Sequence, residues 1–515
     1  MPATPSDSGL LRDLLFQGQG SGRTALVAPE KDLEFSYSDL CRHSQALATR
    51  VRRRTASLRP RIALLLPASA EFVVALFAVS EAGGVPIPLD IHTKPEELLA
   101  ILQFLDPELV ITNASLLRKI KGASPACCLV QLDKNGLQSA FSGQRPATAA
   151  GAYAAPAADP GQDALFILTS GTTGHPKAVR LSHRAIRRNI DMHLESLALE
   201  GDIVSLQVLP LNYSYGLIAC LLSTFRLQGT TILTPHVIDP NLIHALGERY
   251  GANLLMGSPL TFQYLLENGG EHERRPRALR YLTVGGDRCP PNLVKLIRRC
   301  LPWTRAYITY GLTEAGPRVS TLAPQFIESR PQSVGQALPG VEVSVVDGMG
   351  RPCPPGETGE VAVRTPSLMN GYFQDEGKTA ERVRDGRLLT GDVGRLDSDG
   401  FLCLLGRRDG EFKFRGRRVH PGYIEQIIFT HPDVQEVHVK RAEGAQGDYI
   451  CATLKAQAGS EERLVHELRT LCRRRLPAFL VPSEFRFYDR HVYHFKGRPR
   501  DQRGASAEGG PNANG

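Results

Sequence analysis

The sequence predicts an α/β protein: a large N-terminal domain of stacked α/β sheets with a β-rich subdomain, then a small α+β C-terminal domain. Three observations carry this. Short apolar runs alternate with helix-period stretches through most of the chain, which is the signature of strands feeding crossover helices. From about Gly335 the texture changes to period-2 strands between Pro/Gly-rich turns, the signature of antiparallel sheet. A second change follows Gly406-Arg-Arg-Asp-Gly410.

In order along the chain, residues 62–66 (Ile-Ala-Leu-Leu-Leu) form an apolar strand that ends at Pro67. Glu71 to Glu81 has helical periodicity, Gly83-Gly84 stops it, and Val85-Pro-Ile-Pro-Leu89 opens the next strand. Further buried strands are expected at Leu109-Val-Ile-Thr, Cys128-Leu-Val-Gln-Leu, Ala164-Leu-Phe-Ile-Leu-Thr, Thr231-Ile-Leu-Thr, Leu254-Leu-Met and Tyr281-Leu-Thr-Val. A helix is expected over about His183–Leu197. The β-rich part, about 335–405, holds Val341-Glu-Val-Ser-Val-Val-Asp and Gly359-Glu-Val-Ala-Val-Arg. The domain boundary falls near Asp409, giving an N-terminal domain over 1–408 and a C-terminal one over 409–500. The latter reads as a helix near Tyr423–Thr430, strands at Val434–Lys440 and Ile450–Leu454, and a helix from Glu461 to Leu476. Residues 501–515, rich in Gly, Ala, Asn and Ser, read as a disordered tail.

The length of 515 residues suits two to four domains. With 42% hydrophobic and 22% charged residues the chain has a globular composition. The net charge of +8 is too small for this length to imply nucleic acid. It is uneven: residues 401–515 carry 20 Lys and Arg against 14 Asp and Glu. Ten scattered cysteines, with no C-x-x-C pair, read as free thiols in a reducing compartment. No apolar stretch reaches the roughly 18–20 residues of a membrane span, and MPATPSDSG has no secretory pattern. The expected location is cytoplasmic.

The sharpest local feature is Leu168-Thr-Ser-Gly-Thr-Thr-Gly-His-Pro-Lys177, where seven of ten residues are Thr, Ser, Gly or Lys. Glycines let several amide N–H groups point inward together, hydroxyls add donors, and a lysine adds charge, which suits a polyphosphate. It is neither a G-x-x-x-x-G-K-[ST] loop nor a G-x-G-x-x-G loop. A surface turn has the same composition, so the rest of the chain decides.

With this loop go Gly285-Gly-Asp287, Tyr310-Gly-Leu-Thr-Glu314, Thr390-Gly-Asp392, and Gly406-Arg-Arg-Asp409 with Lys413-Phe-Arg-Gly-Arg-Arg418. Five segments in this order resemble the acyl-adenylate-forming superfamily: acyl-CoA synthetases, adenylation domains of nonribosomal peptide synthetases, and firefly luciferase. The resemblance covers roughly residues 20–500. It implies ATP-dependent activation of a carboxylic acid to an acyl-adenylate, with pyrophosphate release and Mg2+. Acyl transfer to a thiol follows, on CoA or on the phosphopantetheine of an acyl or peptidyl carrier protein. Such chemistry needs mainly positioning and charge neutralisation.

The resemblance implies roles for individual residues. Thr169, Ser170, Gly171, Thr172, Thr173, Gly174 and Lys177 form the phosphate loop. Thr313 bonds the α-phosphate and Glu314 holds the metal. Tyr310, Gly286 and Asp287 line the adenine pocket, while Asp392 and Arg407 hold the ribose. Asp409 is the hinge. Lys413, Arg415, Gly416 and Arg418 face the thiol substrate. Tyr213, Tyr215, Gly216 and Ser258 line the acyl pocket. Asn212-Tyr-Ser-Tyr-Gly216 lacks the aspartate that amino-acid-activating relatives use for an α-amino group, which leans toward an apolar or aryl acid.

The chain departs from the pattern at its C-terminus. The family's adenylation lysine follows a glycine; here Tyr493-His-Phe-Lys-Gly-Arg-Pro-Arg500 puts Arg498 in that place, with Lys496 two residues earlier. Either residue can supply the charge, though a guanidinium is planar and larger than an ammonium. Ala178 and Tyr423 replace a usual glycine and a common glutamate. Two alternatives stay open: a non-catalytic nucleotide-binding relative, and a β-lactone-forming or other non-thiol adenylating enzyme. The basic C-terminal excess, including Arg473–Arg475, is expected to face phosphates or an acidic carrier.

Overall fold

The computed structural model describes residues 9–120, 126–133, 136–142, 159–169, 177–234, 239–268, 277–410, 412–414, 417–443, 448–456 and 461–487. The chain divides into two compact units, residues 1–426 and 427–515.

Two largely parallel sheets dominate the first unit. One has the order Val85–Pro88, Arg61–Leu65, Leu109–Thr112, Ala126–Asp133, Gly136–Ser142, with antiparallel pairing at the last strand alone. Its helix Ala70–Glu81 is buried on every side as far as Ser80, as its nearly continuous apolar sequence requires. The Ser69 side chain caps that helix by accepting from the Phe72 amide. The second sheet has nine strands: Gln336–Ala337, Ser320–Leu322, Arg305–Tyr310, Tyr281–Val284, Leu254–Gly257, Val204–Gln207, Thr230–Leu233, Thr24–Ala28 and Leu33–Ser36. Its interior strands are parallel and buried, and antiparallel pairs close both edges. The α/β expectation therefore holds, and the strand runs read from the sequence are all present. Helix His183–Leu197 has its expected bounds, because the Ser182 hydroxyl caps its start and Ala198 ends it in a left-handed conformation.

A three-stranded antiparallel sheet joins Gly371–Tyr372, Lys177–Ser182 and Asp163–Thr169. The β-rich part is an antiparallel sheet of Glu342–Val346, Gly359–Arg364, Arg387–Leu396 and Val383–Arg384, with Leu402–Arg407 also paired to Arg387–Leu396. Gly335, where this texture begins, has φ +90°, and a Cβ there would lie 2.0 Å from the Thr321 carbonyl carbon. Only glycine fits both constraints. Phe412–Phe414 and Arg417–Val419 pair as a hairpin, and helix Pro421–Ile428 starts on its proline.

In the second unit Val434–Ala442 pairs antiparallel with Tyr449–Ala456, and helix Glu461–Arg475 follows. A strand absent from the sequence expectation, Glu484–Phe487, pairs parallel to Tyr449–Ala456. Its four residues are too few to carry a periodic signal. All ten cysteines are free thiols, eight of them buried. No helix among the described residues is long and apolar enough to cross a membrane.

Candidate active site

The site gathers where the parallel strands of the nine-stranded sheet end. Strand Arg305–Tyr310 delivers Tyr310, and the turn Thr313–Ala315 follows directly. Gly311 between them allows a close approach: a Cβ there would sit 2.0 Å from the Pro317 carbonyl oxygen. Strand Arg387–Leu396 brings Asp392 alongside, with Arg407 its register partner on the neighbouring strand.

Tyr310 donates its hydroxyl to one Asp392 carboxylate oxygen at 2.5 Å. Arg407 Nη1 donates to the other at 3.1 Å and to the Thr390 carbonyl at 3.1 Å. The Asp392 amide donates to the Thr390 hydroxyl at 3.0 Å. Burial pushes the Asp392 carboxyl up from its ordinary value, against the pull of Arg407 and the Tyr310 hydroxyl. Burial and the Asp392 charge push the Tyr310 phenol well up, so it stays a donor.

A second group forms around Glu314. Tyr372 donates its hydroxyl to Glu314 at 2.8 Å. The Lys177 ammonium lies 5.6 Å from the centre of the Tyr372 ring. Burial lowers the Lys177 pKa, helped by Lys378 and Arg382 and opposed by Glu314. Thr313 shares a 2.8 Å hydrogen bond with Ser214. The register of the three-stranded sheet sets Thr169 opposite Lys177. Ser170, Gly171, Thr172, Thr173 and Gly174 lie outside the described residues.

Of the acyl-pocket candidates, Tyr215 and Gly216 occupy the start of a wide-turn, π-type helix, Tyr215–Leu222, a form often found at functional sites. Tyr215 donates its hydroxyl to the Thr283 carbonyl at 3.0 Å, and a Cβ on Gly286 (φ +85°) would lie 3.3 Å from the Tyr215 ring. At Gly216 a side chain would run into the Pro210 carbonyl, 2.1 Å from a Cβ there. Tyr213 donates to Asp90 at 3.3 Å. Ser258 caps the helix Pro259–Asn268, accepting from the Thr261 amide at 3.1 Å. Asp287 is exposed at its loop.

Of the remaining candidates, Asp409 lies in the turn Arg408–Gly410. Lys413 and Arg418 are cross-strand partners in the short hairpin. Arg415, Gly416, Lys496 and Arg498 lie outside the described residues. Sequence reasoning missed Tyr372, Ser214 as the partner of Thr313, and Arg318. Each acts across a long sequence separation with no local pattern to mark it. Arg318 is buried with its guanidinium carbon 3.8 Å from the centre of the Tyr215 ring.

The profile of the AMP-binding enzyme family matches residues 16–373, and that of the AMP-binding enzyme C-terminal domain matches residues 423–492. The chain is 27% identical to an indoleacetate–CoA ligase of Aromatoleum aromaticum over 479 residues, 92% of each protein. Its structure resembles that of ATP-bound MatB from Rhodopseudomonas palustris (TM-score 0.81, 25% identity, 95% of this chain and 96% of that one). It also resembles the anthranilate CoA ligase AuaEII in complex with anthranoyl-AMP (TM-score 0.84, 20% identity, 95% of each). With a family profile spanning more than half its length, the chain belongs to the AMP-binding enzymes of the acyl-adenylate-forming superfamily.

Proposed function

We propose that the chain is an acid–thiol ligase. It activates a carboxylic acid with ATP to an acyl-adenylate and pyrophosphate, then passes the acyl group to the thiol of CoA or of a carrier-bound phosphopantetheine. The observation that carries this reading is the Asp392 carboxylate, fixed from both sides by Tyr310 and Arg407 beside the Thr313–Glu314 turn. A carboxylate so held accepts from both hydroxyls of a ribose, and its charge does not have to be reoriented on binding.

In this reading Thr313 donates to the α-phosphate and Lys177 neutralises charge on the outer phosphates. The carboxyl oxygen of the acid attacks the α-phosphorus, and pyrophosphate leaves. Either Lys496 or Arg498 steadies the two approaching anions. The thiol then attacks the acyl carbon and AMP leaves, with Lys413 to Arg418 on the thiol side and Asp409 as the pivot between the two half-reactions. Mg2+ fits beside Glu314. A hard cation takes one or two carboxylates and completes its shell with phosphate oxygens and water, and here a single carboxylate is held in place by Tyr372. The ion would supply charge neutralisation on the phosphates.

A cation buried against Tyr215 disfavours a substrate ammonium in this pocket. The acid is therefore read as one that carries no charged ammonium group. Indoleacetate and anthranilate, the acids named for two of the similar proteins, carry aromatic rings. ATP–pyrophosphate exchange across a panel of carboxylic acids tests the first half-reaction. Product mass with and without CoA separates thioester from lactone formation. No exchange with any acid overturns the ligase reading in favour of a nucleotide-binding relative.

A further inference from the structure

Arg318 follows Glu314 by four residues, and only 2% of its surface is exposed. Nη1 donates to the Pro317 carbonyl at 2.8 Å. Nε and Nη2 meet no acceptor among the described residues. Near it lies His193, with 0% exposure and neither ring nitrogen hydrogen-bonded among the described residues. Burial and the Arg318 charge hold His193 neutral, and burial keeps the nearby Cys220 a thiol, its pKa pushed up to about 12. None of these neighbours brings the negative charge that a guanidinium needs.

A buried charge without a counter-ion is among the costliest features a core can hold, and an apolar side chain of similar volume would remove the cost. Packing alone therefore leaves Arg318 unexplained. Its position is informative. The guanidinium stacks on Tyr215, which also touches the Gly285–Gly286 backbone. Tyr215 is only half-buried, so its ring borders the space assigned to the acyl group, with the enclosed guanidinium stacked against it.

We infer that Arg318 determines substrate specificity by pairing with a second carboxylate, at the end of the acid far from the carboxyl that is activated. The substrate class is thus a dicarboxylic acid. This inference rests on the ligase reading for the location of the acyl pocket. A planar fork with two free N–H directions matches the two oxygens of a carboxylate. Stacking against Tyr215 holds the fork in place.

The test compares α,ω-diacids of three to eight carbons and the three benzenedicarboxylates, each against its own monomethyl ester, which keeps the shape and removes the far charge. In ATP–pyrophosphate exchange the wild type is expected to favour at least one diacid over its ester by about tenfold or more in kcat/KM, as charge-paired recognition gives. Arg318→Met is expected to abolish that preference while the KM for ATP stays within about twofold. Arg318→Lys, which keeps charge but not the fork, is expected to fall between. Binding is read separately, without turnover, from the rise in Tm that the diacid gives the wild type and not Arg318→Met.

Exchange that favours every ester, or a preference unchanged in Arg318→Met, overturns the inference and leaves the ligase reading standing. Arg318-dependent binding of a diacid without any exchange does the reverse. A lower Tm for unliganded Arg318→Met assigns Arg318 to the scaffold and also overturns the inference, because losing an unpaired buried charge should preserve or raise Tm.

Discussion

The Tyr310 hydroxyl and the Asp392 carboxylate, 82 residues apart in sequence, meet at 2.5 Å, and Arg407 closes the opposite side of the same carboxylate at 3.1 Å. Two donors thus hold one acceptor, and a carboxylate with two donors keeps lone pairs for more. Asp392→Asn keeps the shape but removes the charge. Hydrogen bonds to a charged group contribute about 1.5–3 kcal/mol, so the KM for ATP should rise by about 10- to 100-fold. Isothermal titration with ATP and exchange kinetics check this. Tyr310→Phe should cost less, since Arg407 remains.

The same carboxylate sets a pH limb. Burial raises its pKa, so on acidification it takes up a proton earlier than an ordinary carboxyl. In the proposed role at the ribose Asp392 acts in its ionised form, so kcat/KM for ATP should fall as pH drops through that raised value. Arg407 pulls the pKa down. Arg407→Leu should therefore move the acid limb to higher pH. A limb that stays in place, or moves lower, assigns it to another group.

Tyr372→Phe should loosen Glu314, the residue proposed to hold Mg2+. Glu314 loses the hydroxyl that holds it at 2.8 Å, and a bond to a charged group contributes about 1.5–3 kcal/mol. The expected result is a Mg2+ requirement in pyrophosphate exchange higher by about tenfold or more, with unchanged Tm within a few degrees. Magnesium titration of the two proteins measures it.

Lys496→Met and Arg498→Met, made separately, decide which residue serves adenylation. The residue that steadies the reacting anions should cost about 100-fold or more in exchange, the scale of one lost preorganised charge. The other should change it by less than about threefold. Loss of exchange with either also removes the non-catalytic alternative.

Arg473, Arg474 and Arg475 are exposed in the last turn of helix Glu461–Arg475. Cations there favour the helix dipole, which accounts for them without any partner. If they also face the thiol substrate, replacing all three by Gln raises the KM for CoA or carrier by about tenfold at low salt and leaves the KM for ATP within twofold. Equal changes in both confine them to the helix.

Much of this was legible in the sequence. Apolar runs such as Leu254–Gly257 and Tyr281–Val284 read as buried strands because parallel strands are covered on both faces. Asp392, Thr313 and Glu314 stood out because each lies in a short, recognisable segment. Tyr372 was not legible. It lies in a two-residue strand, and its meaning depends on Glu314, 58 positions away. Arg318 was equally silent, since a single arginine in Gly316-Pro-Arg-Val-Ser320 carries no sign of burial. Burial is a property of what packs around a residue, and for Arg318 the ring comes from Tyr215, on a different element.

The cysteines have a consequence for an enzyme that makes an electrophile. An acyl-adenylate reacts with any thiolate it meets, and this chain carries ten thiols of its own. Cys41, Cys128, Cys220 and Cys289 are pushed up to about 12, and Cys472 to about 11, chiefly by burial. A protonated, enclosed thiol is a poor nucleophile. At these positions the chain's own thiols are thus poor competitors for an activated acyl group.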